Sequence, residues 1–103
     1  MGDRISIGFK NGNEESIVLF SHWDGKGLLD GVQDYLAVLK PLAGGTPLSR
    51  REPNTIMLDF IRWYLRKEEL HLDGNYYLGK DQNDGDNSDN GHFVINLQTE
   101  KIE

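Results

Sequence analysis

No cysteine occurs in the 103 residues. That excludes disulfides, thiolate zinc centres and cysteine nucleophiles together. It fits a reducing cytosol, so a cytoplasmic location is expected. No run of about 18 apolar residues exists, and no segment is expected to span a membrane. Basic residues are in short supply: 11 Lys and Arg stand against 17 Asp and Glu, giving a formal net charge of −6. Attraction to a phosphate backbone then has the wrong sign overall, which argues against a non-specific nucleic-acid binder. Catalytic signatures are missing as well. There is no G-x-S-x-G, H-E-x-x-H, Walker A or G-x-G-x-x-G pattern, and His22, His71 and His92 lie far apart. The expectation is a protein that is not an enzyme; metal-assisted hydrolysis beside His92 is the one catalytic route left.

What is present is periodic patterning on the scale of one domain, residues 1–103. A chain of this length buries roughly 60–70% of its unfolded surface, enough for a core without staples. Ile5, Ile7 and Phe9 alternate with Arg4, Ser6 and Gly8, which predicts a half-buried strand. Asn11-Gly12 is a strong hairpin signal, and residues 16–22 form the returning strand. Its Ile17-Val18-Leu19-Phe20 run is apolar towards both faces, as in a strand inside a sheet. Leu28, Leu29, Val32, Tyr35, Leu36 and Leu39 make one helical stripe over residues 27–40, interrupted by Gly31, for which a close helix–sheet approach is the simplest reason.

All three prolines fall within residues 41–53, a long loop that also carries Arg50 and Arg51. A second helix is predicted over residues 55–69, capped by Asn54 or Thr55. It is apolar almost all round, so it is expected to be covered on two sides or to build a homo-oligomer. Residues 76–78 and 93–97 read as two strands joined as a hairpin, and residues 98–103 as a frayed tail. The order β-β-α-α-β-β predicts an α+β two-layer sandwich: an antiparallel four-stranded sheet with two helices on one face.

Two candidate surfaces follow. The loop 81–91 holds Asp81, Asp84, Asp86 and Asp89 with no basic residue among them. Read from Asp86, it offers Asp86, Ser88, Asn90 and Gly91 at the spacing of a calcium loop, but Leu97 stands where the bidentate Glu belongs. Ca²⁺ is the only cofactor this pattern suggests; the bland alternative is a solvated turn, since Asn, Asp and Gly favour turns on their own account. The second surface is Ser21-His22-Trp23-Asp24-Gly25, where a strand passes into a helix. His22, Trp23 and Asp24 together with Arg50 and Arg51 would grip a phosphate and a base, provided the 41–53 loop folds back over them. The bland alternative is a core-edge Trp23 and arginines paired with surface acids.

The segments MGDRISIGFKNG, SIVLFSHWDG and YYLGKDQNDGDNSDNGHFVINL resemble a family of short proteins of phages, prophages and archaeal or bacterial genomes. The resemblance covers most of the chain and is weakest at about 41–55. It implies a small binder acting against host defence, in the host cytoplasm if phage-encoded. The leading expectation is therefore a non-enzymatic protein that sequesters a nucleotide-like, phosphate-bearing ligand. The alternatives are a calcium-binding module on the acidic loop and an acidic protein that blocks a host protein.

Overall fold

A computed structural model describes residues 2–39, 45–66 and 75–103. The expected helix ends at Lys40 and Glu69, and the turn at Asp73-Gly74, lie outside the described residues, but both helices already stop inside them, the first at Val38 and the second at Tyr64. Strands β1 (Ile5–Asn11), β2 (Glu14–Glu15) and β3 (Val18–Ser21) come first, then helices α1 (Gly27–Val38) and α2 (Pro53–Tyr64), then β4 (Tyr76–Gly79), β5 (His92–Asn96) and β6 (Lys101–Ile102). The class is α+β, as patterned, but the sheet has six strands rather than four and is mixed rather than antiparallel. Its order is β4-β3-β1-β5-β6, with β2 also paired to β1.

The first hairpin forms as expected, with Gly12 at φ 63° in its turn. Its register slips by one residue between Lys10↔Glu15 and Ile7↔Leu19, which leaves Ile17 as an extra, bulged residue. Ser16 bridges the slip: its Oγ accepts the Phe9 amide and donates to the Ile17 carbonyl. Asn54, expected to cap α2, instead accepts the Ile17 amide through Oδ1. The helix starts two residues earlier than expected, with Pro53 at a position where its missing N–H costs nothing.

The two C-terminal strands do not make a hairpin. β5 pairs in parallel with β1, and β4 pairs antiparallel with β3 on the far side. β4 and β5 therefore run the same way with two strands between them. Strands of one sheet that run the same way need a crossover of a dozen or so residues, usually helical; here residues 80–91 cross without a helix. The tail is not frayed either. β6 pairs with β5, the Glu103 amide donates to the Val94 carbonyl, and Lys10 pairs with Glu103.

One sheet face carries Ile5, Ile7, Phe9, Leu19 and Ile95, and packs on Leu28, Val32 and Tyr35 of α1 and on Ile56, Met57 and Phe60 of α2. The reason for Gly31 is helix–helix rather than helix–sheet contact. A methyl there would fall on the Tyr64 ring, 2.7 Å from its Cδ1. Nor is α2 apolar on both sides: Trp63 lies beneath Arg66, whose guanidinium carbon sits 4.3 Å from the ring centre, and Leu58 is left 62% exposed. An oligomer through this helix would have Leu58 to cover rather than a whole stripe. No helix among the described residues is long and apolar enough to cross a membrane.

Candidate functional site

Alternation along β1 puts Ser6 and Gly8 on the face away from the helices, together with Val18 and Phe20 of β3, Tyr77 of β4 and His92 and Val94 of β5. From its polar residues this face reads as wet. Ser6, Val18 and Phe20 are nonetheless buried, because residues 80–91 lie across them. Phe20 stacks on Tyr77 with centroids 4.9 Å apart, and Gly85 sits against both rings: a Cβ there would be 2.6 Å from Tyr77 Cε2 and 2.8 Å from Phe20 Cδ2. The Asp86 amide donates to the Tyr77 hydroxyl at 3.0 Å.

The four loop aspartates are absorbed by this crossing. Asp84 Oδ2 accepts the Lys80 and Asp81 amides, Asp81 Oδ1 accepts the Asn83 amide, and Asp86 Oδ1 accepts the Ser88 amide. Arg4 reaches Asp86 at 3.1 Å and Asp89 at 3.5 Å, and its own amide donates to Asp89. Hydrogen bonds from Ser88, with Arg4 and His22 nearby, hold the Asp86 carboxyl below the ordinary carboxylate value. Among the described residues no three His, Asp or Glu side chains converge. The repulsion expected of four neighbouring carboxylates is relieved by backbone amides and by one arginine from the start of the chain.

The second expected surface is not assembled as one grip. His22 and Trp23 follow β3 beside the start of β1, where the Asp3 amide donates to the His22 carbonyl. Trp23 is 47% exposed, with the His22 ring edge-on to it at 4.7 Å. Asp24 is taken by three neighbours: its Oδ2 accepts the hydroxyls of Tyr64 (2.8 Å) and Tyr76 (2.6 Å), and its Oδ1 accepts from Asn75. The carbonyls of Arg50 and Arg51 instead accept from Asn11, at the far end of β1. Seven strand residues at about 3.3 Å each separate the two ends by roughly 20 Å. Arg50 is clasped by Glu52 and the Gly45 carbonyl, and Arg51 by Glu100 and the Leu97 carbonyl. The Arg51 side chain and the two carbonyls held by Asn11 thus fasten residues 45–52 to the end of the sheet, while the Arg50 side chain stays within that segment.

Beside the crossing loop lies a cleft of about 360 Å³ that neither expectation had placed. Its floor is Gly8 in the middle of the central strand, with Val18 and Val94 alongside; Glu15 and Ser16 form one side, His92 the other, and Lys80, Asp81, Gln82 and Asn83 the rim. Glycine inside a strand weakens it and often marks a close approach of something to the backbone. A Cβ at Gly8 would find only ordinary contacts, 3.7 Å from His92 Cε1 and 3.9 Å from Nε2. Neither backbone nor packing therefore demands glycine at this position, and any larger side chain would occupy the cleft.

The protonation of His92 follows from what holds it. Asn87 Nδ2 faces the Gln82 carbonyl at 3.2 Å, which fixes its amide, and donates to Ser6 Oγ at 2.9 Å. Ser6 is fully buried, so its hydroxyl hydrogen must find an acceptor. The partner in reach is His92 Nδ1 at 2.7 Å. His92 therefore accepts at Nδ1 and carries its hydrogen on Nε2, at the cleft. Burial pushes the imidazole below its ordinary value, against the opposing pull of Glu15, and keeps the ring neutral. Among the described residues, Nε2 of His92 and the ammonium of Lys80 have no protein partner.

Of the cleft residues only His92 and Asp81 stood out in the sequence, Asp81 as part of the acidic loop. The usable signal was Gly8, set in an otherwise strong strand where a side chain was affordable. Comparison with known protein families, with curated proteins and with solved structures gives no match.

Proposed function

We propose that this chain is a non-enzymatic binding protein that takes a small polar ligand into the cleft over Gly8. The observation that carries the reading is the bare backbone of the central strand at Gly8, faced by two partnerless donors, the neutral N–H of His92 and the ammonium of Lys80. The volume suits the small end of ligand sites. Ser6 and His92 resemble a nucleophile and its base, but the serine oxygen is fully buried and covered by the Asn87 amide, out of a substrate's reach, which supports binding rather than acyl transfer. The reading keeps sequestration and moves it from the arginine pair to the opposite sheet face. In a phage setting such a binder would act by withholding its ligand from host defence.

Filling the cleft tests this. A Cβ at Gly8 meets only ordinary contacts, the branches of a valine there would extend into the cleft, and valine favours a strand, so Gly8→Val is expected to fold. Protein purified under native conditions and then heat-denatured should release a small molecule from the parent chain and none from Gly8→Val. Equal release from both, or no molecule from the parent, would refute the proposal.

A further inference from the structure

We infer that the ligand of the Gly8 cleft is a small zwitterion of the α-amino-acid type, its carboxylate on the His92 Nε2–H and Lys80 and its ammonium between Glu15 and Asp81. This rests on the cleft being the binding site. The inference comes from the charges that line it. With His92 neutral, Lys80 is the one cation at the cleft among the described residues, against the two carboxylates of Glu15 and Asp81. Asp81 spends Oδ1 on the Asn83 amide and keeps Oδ2 available; Glu15 is exposed and has no ion-pair partner among the described residues. A phosphate dianion would bring its charge beside two carboxylates with a single ammonium to offset them. A simple amine would leave the His92 N–H without an acceptor and set its own charge near Lys80. A molecule with one charge of each sign satisfies both sets. The neutral His92 donor suits a carboxylate oxygen because it orients the acceptor without adding charge, and Val94 beside Gly8 offers an aliphatic wall to a side chain.

The probes are L-valine, its deaminated and decarboxylated counterparts 3-methylbutanoate and isobutylamine, the neutral 3-methylbutanamide, and inorganic phosphate. Each is titrated into the full chain while the amide resonances of Gly8 and Val94 are followed. L-Valine should shift both saturably and bind at least tenfold tighter than any of the other four. Glu15→Gln and Lys80→Met, both at exposed side chains, should each weaken L-valine at least fivefold with the rest of the spectrum unchanged. If the single-charge, neutral or phosphate probes shift the same amides as strongly as L-valine, the ligand class is overturned and the cleft stands. If no probe moves either amide, the class falls; release of a molecule from the parent but not from Gly8→Val would still uphold the cleft. Unchanged L-valine binding in Glu15→Gln or Lys80→Met would overturn the assigned contacts.

Discussion

Gly31→Ala sets two effects of opposite sign against each other. In an exposed helix position the change would stabilise α1 by about 1 kcal/mol. Here the new methyl meets the Tyr64 ring. That ring is held on three sides: it stacks on Phe60 at 5.2 Å, stands edge-on to Tyr76 at 6.2 Å, and its hydroxyl is tied to Asp24 at 2.8 Å. Overpacking a held side chain costs about 1–3 kcal/mol, and drawing the hydroxyl away from a carboxylate adds about 1.5–3 kcal/mol. The net expectation is a loss of about 1.5–5 kcal/mol, read as a fall in the urea midpoint with the slope unchanged, or as a Tm lower by about 4–8 °C per kcal/mol. The decisive measurement is the same substitution in a Tyr64→Ala background. With the ring gone, Gly31→Ala should stabilise, so the sign of its effect reverses. A stabilising Gly31→Ala in the parent chain, or the same effect in both backgrounds, would refute a contact between the helices at this point.

Other outcomes follow from the same geometry. Gly85→Ala, between the Phe20 and Tyr77 rings, should destabilise by about 1–3 kcal/mol by lifting the crossing loop; no loss in chemical denaturation would mean that the loop does not lie on the sheet. The His92 imidazole, neutral through burial, should titrate below its ordinary value of about 6.5 and show the Nε2–H tautomer in ¹⁵N spectra. Because its folded value is the lower one, its contribution to stability is complete above about pH 6.5 and is lost as pH falls through the folded value; an unshifted or raised titration would refute the burial of the ring, and an Nδ1–H tautomer would refute the Ser6 arrangement. Tyr35→Phe removes a buried hydroxyl that donates to Asp59 at 2.7 Å and should cost about 1–3 kcal/mol in urea unfolding. Millimolar Ca²⁺ added after chelation should leave Tm unchanged, since the loop carboxylates are engaged by amides and Arg4; a rise would favour the cation reading instead, because a ligand specific to the folded state must stabilise it.

Local signals in the sequence were sound where the neighbours are local. The Ile5, Ile7, Phe9 alternation, the Asn11-Gly12 turn and the Leu28-to-Leu39 stripe each describe an element by its own periodicity. Pairing partners were harder. Phe93 and Ile95 alternate equally well in a hairpin with β4 and in a parallel slot beside β1, and a dozen intervening residues permit either. Ser6 and Gly8 read as a wet face because nothing local says that a loop some eighty residues later will cover them. Asn54 carried a capping residue's chemistry but met a bulge amide first. Lys101-Ile102 is too short to show a period. The cleft is the least legible feature, since Gly8, Glu15, Lys80 and His92 come from four separate stretches.

The helix-free crossing also bears on how the chain comes to its shape. β1, the first strand made, occupies the middle of the sheet, and one of its neighbours is β5, near the end of this chain. Ser6 and His92 must meet across 86 positions, so the central ladder closes only after most of the chain is available. Such distant pairing is slow, because the entropy of closure is lost before contacts reward it. Until β5 arrives, one edge of β1 is open, and that edge is where a misplaced strand would add. A gain in folding rate should therefore come from a circular permutant that joins the tail to the start of β1 and opens the chain elsewhere on the surface, which turns the most distant pairing into a nearby one.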